Sequence, residues 1–146
     1  MSAAFPRPDP VDADEQQFWA YVAVGELRIQ RCAECRRYRH PPRPVCAACG
    51  SADAEWAVAS GLGEVWARTV IHPPTLPAFA ARTPYGAVVV RLDEGVFIVS
   101  NVVDRDPYEV DVGMPVEVVI TEVEPGLALP LFRAADTSPK PRATFA

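Results

Sequence analysis

Four cysteines constrain this chain more than any other feature. Cys32, Cys35, Cys46 and Cys49 read C-x2-C, ten residues, C-x2-C, and they are the only cysteines among the 146 residues. Two such knuckles turn four thiolates toward one point, as a tetrahedral Zn²⁺ site requires. Residues 1–12 (MSAAFPRPDPVD) lack a basic stretch followed by an apolar core, so no export signal is expected. A reducing, cytoplasmic setting is therefore expected, and it disfavours structural disulfides. A thioredoxin-like redox pair needs one C-x-x-C at a helix start inside a βαβ pattern, which these residues lack. Iron accepts the same four thiolates, so the ligand set admits zinc or iron, with zinc the expected ion. Four thiolates leave no open coordination position for water, so the expected metal is structural.

The remainder reads as mainly β. Sixteen prolines, about twice the usual ~5% share, break helices repeatedly and argue against a helix bundle. No apolar run approaches the roughly 18 to 20 residues of a membrane span. Asp12 or Asp14 can cap one helix over roughly 13–24, carrying Phe18, Trp19, Tyr21, Val22 and Val24 and ending at Gly25. After the cysteines come five Val-, Ile- and Leu-rich stretches bounded by Gly, Pro or Asp: 62–72, 85–93, 95–103, 115–124 and 127–133. Asp93-Glu94-Gly95 predicts a hairpin turn between the second and third. Five strands without an intervening helix fit a small antiparallel barrel such as the OB-fold, though other small barrels fit too. The span 73–84 (PPTLPAFAARTP) becomes a long loop beside the face where such barrels bind ligands. The expected division is a tail and docking helix (1–27), a zinc ribbon (28–58), a barrel (59–135) and a C-terminal tail (136–146).

Charge is split between these parts. Residues 28–43 carry Arg28, Arg31, Arg36, Arg37, Arg39 and Arg43 against the single acid Glu34, while 44–135 hold twelve acids against five arginines. A formal net charge of −5 therefore hides a basic ribbon on an acidic barrel. The basic patch suits either a solvated surface or an anion site for phosphates or an acidic partner. The acidic barrel disfavours single-stranded nucleic acid, whose OB-fold binders interleave aromatics with Lys and Arg; Trp66, Tyr85 and Phe97 are not set among Lys or Arg runs. No nucleophile elbow, P-loop or dinucleotide fingerprint appears. His40, followed by Pro41-Pro42, reads as a turn residue, and His72 as the end of a strand.

The string as a whole resembles the DUF35 family over roughly residues 14–134. The motifs are Phe18-Trp19, Gly25-Glu26-Leu27, the four cysteines, Pro41-Pro42-Arg43, Trp56, Ser60-Gly61, Pro84-Tyr85, Asp93-Glu94-Gly95 and Gly113. The resemblance implies an N-terminal helical segment, a rubredoxin-like zinc ribbon and an OB-fold. It also implies a subunit without catalytic residues that partners a thiolase-like enzyme acting on acyl-CoA thioesters. One branch similar to this sequence assists a retro-aldolase of steroid side-chain degradation; another bridges enzymes of mevalonate synthesis. A hydratase-like subunit is a further candidate partner, and a pure assembly scaffold without a ligand is the plainer alternative. Under this reading Arg28, Arg31, Arg37, Arg39 and Arg43 are candidates for CoA phosphates. Phe79, Pro84 and Tyr85 are candidates for acyl or partner contact, and Phe18, Trp19 and Tyr21 for a partner-facing helix. Gly86-Ala87 departs from the bulkier apolar residues usual there and leaves room for a different acyl group.

Overall fold

A computed structural model describes residues 4–73 and 76–135. Helix α1 (Ala13–Ala23) starts at Asp12, whose carboxylate accepts the Glu15 N–H at 2.8 Å. It ends where Gly25 takes a positive φ of 85°. There the Gly25 N–H reaches the Val22 carbonyl at 3.0 Å and the Glu26 N–H the Tyr21 carbonyl at 2.9 Å. This paired closure satisfies carbonyls the helix leaves open, and it needs a residue that tolerates the left-handed region.

A three-stranded antiparallel sheet follows, ordered β2-β1-β3 and built from β1 (Arg28–Cys32), β2 (Tyr38–Arg39) and β3 (Ala54–Val58). Then come β4 (Leu62–Ile71), β5 (Tyr85–Leu92), β6 (Phe97–Ser100), β7 (Pro115–Glu124) and β8 (Leu127–Ala134), ordered β6-β5-β4-β7-β8. Behind β6 the chain turns onto β8: Val102 bridges Phe132 in parallel, and the Val103 N–H donates to the Phe132 carbonyl at 2.8 Å. The five antiparallel strands thus nearly close into the expected barrel. Irregularities at Val65/Ala67 and Glu122/Glu124 bend the long strands, as closure of a small barrel requires. The predicted strand over 95–103 is shorter, because the turn extends to Val96, whose carbonyl accepts the Leu92 N–H at 2.9 Å.

Period-two alternation sends Val88, Val90 and Leu92 of β5 inward to meet Val65, Ile98, Val116 and Phe132. Phe18 and Val22 of α1 and Leu27 and Ile29 around β1 belong to the same buried cluster. The helix packs on both β8 and β1, so one continuous core joins ribbon and barrel through it. No helix among the described residues is long and apolar enough to cross a membrane.

One buried polar residue organises the ribbon. Gln30 is 2% exposed; its Oε1 accepts the Arg39 Nε–H at 2.8 Å and the Arg43 backbone N–H at 2.8 Å. Replacing it as Gln30→Leu is expected to cost about 2–3 kcal/mol in urea unfolding, because a half-buried guanidinium and an amide lose their acceptor together. A loss under about 0.5 kcal/mol, the scale of an ordinary surface change, would count against this role.

Candidate metal centre and ligand groove

The four cysteines converge as their spacing predicts. All four Sγ atoms lie within 4.8 Å of one another, with Cys32–Cys49 and Cys35–Cys46 each at 3.6 Å. Four thiolates around Zn²⁺ at ~2.3 Å would stand roughly 3.8 Å apart, so the donor set and its spread fit a closed tetrahedral site. Backbone N–H groups of the second knuckle, from Cys49 and Ala48, pull the Cys46 thiol down to about 6. The Cys35 and Glu34 N–H groups lower Cys32. Cys49 is favoured as a thiolate by the Ser51 N–H, yet crowding by the other sulfurs, Cys32 first, and desolvation push it up to about 11. So many thiolates in one place repel each other, and a bound cation is what relieves the repulsion.

The ribbon arginines divide. Arg28 pairs with Glu26 at 2.6 Å and lies 4.6 Å over the Tyr21 ring. That carboxylate, through its hydrogen bond to Nε, raises the arginine's pKa further. Arg36, outside the candidate set, pairs with Glu55 at 2.6 Å. Arg39 is spent inside the ribbon on Gln30 and on the Arg43 carbonyl at 2.9 Å. Arg31 lies 5.1 Å over Tyr38 with Nε on the Arg36 carbonyl. Among the described residues no carboxylate pairs with Arg31, Arg37 or Arg43. The sequence presents an even basic patch; Glu26, just before β1, and Glu55 of β3 cancel part of it.

The helix residues divide as well. Phe18 is 5% exposed and sits in the chain's own core, whereas the sequence alone offers it to a partner. Trp19 packs edge-on against it at 5.3 Å, and Tyr21 packs on Trp56 at 5.6 Å; both are half-buried. The His40 ring lies 5.1 Å from Phe18, with Nδ1 buried and unpartnered. Burial pushes its pKa down to about 4. The unfolded chain binds a proton near 6.5 and the folded chain does not, so this site loses stability as pH falls from about 6.5 toward 4. At pH 5 the protein is expected to be about 2 kcal/mol less stable than at pH 7.5. His40→Asn should remove most of that difference in urea titrations. An equal pH dependence in both proteins would refute the assignment.

Phe79, Pro84 and Tyr85 come together. They line a groove of about 400 Å³ between residues 79–85 and the β8 face. Phe79 stacks on Tyr85 at 5.3 Å, and Gly86 lies in the groove wall. A Cβ at Gly86 would come within 3.2 Å of Pro107, so little room exists there for a larger side chain. Two other lining residues carry no signal in the sequence, Phe5 and Arg82. Phe5 stands in a proline-containing tail, and Arg82 is an isolated charge in a loop. Only the chain's return across the barrel brings them near. His72, in contrast, meets the Tyr108 hydroxyl at 2.5 Å on the surface.

This geometry defines a class: a four-cysteine zinc ribbon joined by a helix to an OB-type barrel. The family described as "ChsH2, rubredoxin-like zinc ribbon domain" matches residues 19–55, and "ChsH2, C-terminal OB-fold domain" matches 56–121. A DUF35 domain-containing scaffold protein of Pyrococcus furiosus is 36% identical over 118 residues, covering 77% of this chain and 85% of that protein. The chain belongs to the DUF35 family. A probable enoyl-CoA hydratase alpha subunit of Thermomonospora curvata is 42% identical over 130 residues, 88% of this chain and 40% of that protein. The 3-oxo-4,17-pregnadiene-20-carboxyl-CoA hydratase alpha subunit of Mycobacterium tuberculosis is 35% identical over 119 residues, 75% of this chain and 37% of that protein. The chain thus spans about two fifths of the length of these two hydratase subunits. Among solved structures, a chain of the "Ltp2-ChsH2(DUF35) aldolase" superposes with TM-score 0.80 at 38% identity, covering 87% of this chain and 98% of that one. A DUF35 protein of Sulfolobus solfataricus shares the fold at TM-score 0.61 and 16% identity, covering 84% of this chain and 86% of that one.

Proposed function

We propose that this chain is a subunit without catalytic residues that binds and stabilises a thiolase-like aldolase acting on acyl-CoA thioesters, of the kind that cleaves steroid side chains. One observation carries the reading: nearly the whole of a chain from the Ltp2–ChsH2 aldolase superposes on it. In this reading the four cysteines hold a structural Zn²⁺. That ion would rigidify β1 and the two knuckles and would leave no coordination position for substrate. In this reading Arg31, Arg37 and Arg43 are assigned to CoA phosphates, supported by their having no paired carboxylate among the described residues, and the groove lined by Phe79 and Tyr85 is assigned to the acyl part or the partner.

Co-expression with the thiolase-like protein of the same source tests it. The expected result is a stable hetero-oligomer on size exclusion that carries retro-aldol activity absent from either protein alone. Two separate peaks with an active thiolase-like protein would refute the accessory role. A second reading rests on the two hydratase alpha subunits, of which this chain matches about two fifths: a hydratase-like protein joins the same assembly. Adding that protein to the co-expression should shift the complex to higher mass if it does.

A further inference from the structure

The N-terminal segment crosses the barrel and is fastened there by several bonds. The Phe5 N–H donates to Glu124 Oε1 at 2.8 Å. Arg7 donates to the Pro125 carbonyl at 3.1 Å and the Gly126 carbonyl at 3.3 Å, and its guanidinium stands 3.7 Å from the Glu124 carboxylate. These partners all belong to the end of β7 and the turn into β8, so the segment lies as a strap over that hairpin. The strap sets the Phe5 ring edge-on against Phe79 at 5.2 Å, and Phe79 in turn stacks on Tyr85. The Arg82 guanidinium lies 4.9 Å over the Phe5 ring.

Three rings in sequence make an apolar wall. Arg82, whose guanidinium carbon stands over the Phe5 ring, pairs with no carboxylate among the described residues, so its N–H groups remain available to an anion. The groove stays open at about 400 Å³ with Phe5 in place, so the ring lines the space and does not fill it. That volume lies within the range of small-molecule sites, whose usual composition is an apolar lining with a few placed polar groups.

We infer that the strap completes this groove as a binding site for an apolar chain carrying an anionic group, with Phe5 as its outer wall and Arg82 as its anion contact. The inference rests on the acyl-CoA reading for the natural ligand, but not for the existence of the site. The strap precedes residue 19, where the matched family region begins.

Two probes separate the site from that reading: dodecanoyl-CoA, and 1-anilinonaphthalene-8-sulfonate, an apolar ring system bearing a sulfonate. Each is titrated into the full chain and into Phe5→Ala, Phe5→Leu and Arg82→Gln. Phe5→Ala is expected to weaken dodecanoyl-CoA about tenfold, Phe5→Leu to recover most of it, and Arg82→Gln to flatten the salt dependence of binding. Arg7→Ala, which loosens the strap without touching the groove wall, should weaken binding in the same direction, so the test survives a folding defect in any one variant. Binding of dodecanoyl-CoA that is unchanged or tighter in Phe5→Ala overturns the inference and leaves the acyl-CoA reading standing. Loss of naphthalene-sulfonate binding in Phe5→Ala, with no dodecanoyl-CoA binding to any form, supports the site and removes the acyl-CoA reading. If neither probe binds the wild-type chain, both fall.

Discussion

Cys46→Ser, or prolonged chelation of the wild-type chain, is expected to unfold the ribbon and to take much of the barrel's stability with it. Metal binding to a structural site of four thiolates is worth on the order of 10 kcal/mol, and a preformed site does not persist without it. That exceeds the roughly 5–15 kcal/mol total stability of an ordinary domain only at the low end, so the loss need not be complete everywhere. It spreads because Ile29 and Leu27, which flank or lie on the first ribbon strand, are 1% and 4% exposed within the same core as the barrel's Val90 and Phe132. Wild-type protein should contain one zinc per chain and be colourless, whereas iron on four thiolates absorbs in the visible. After chelation, near-ultraviolet circular dichroism should collapse and the melting transition should fall by tens of degrees or disappear. A metal-free protein that keeps its spectrum and transition would show that the thiols are incidental.

Phe18→Ala carries the second-largest effect, about 3–5 kcal/mol in urea unfolding of the isolated chain. The ring is 5% exposed and contacts Trp19 and the His40 ring. Deleting it leaves a cavity at the seam where the helix meets β8 and β1. Val24→Ala at the end of the same helix, 73% exposed, should change stability by less than about 0.5 kcal/mol. The comparison separates two roles for the aromatic helix. If Phe18 served a partner, its loss would leave the free chain unharmed and weaken only the complex. A loss below about 1 kcal/mol in the free chain would favour that role over the one its burial indicates.

Much was legible because the signals are local. The cysteine spacing needs only two tight knuckles to bring four sulfurs together, and they do lie within 4.8 Å. Helix α1 begins at one of the two aspartates offered and ends before the glycine offered. The five barrel strands fall on the five Val-, Ile- and Leu-rich stretches, since that composition and the flanking Gly, Pro and Asp are read one residue at a time. What stayed hidden were the groups whose partners are distant in sequence. Arg36 finds Glu55 and Arg39 finds Gln30, so the basic patch is smaller than its arginine count suggests. Phe5 finds Glu124 and Phe79, which no local pattern announces.

The sequence by itself determined the helix, the barrel strands, the four-cysteine ligand set and the family, because each depends on composition and spacing along the chain. Tertiary structure alone decided how the parts are spent. It turned the aromatic helix inward as the seam between ribbon and barrel, because Phe18 and Val22 bury more apolar surface there than solvent would allow them to keep. It also laid the N-terminal strap across the β7–β8 turn, where Glu124 and two carbonyls stand ready for Phe5 and Arg7. Both outcomes depend on surfaces that exist only once the barrel has closed.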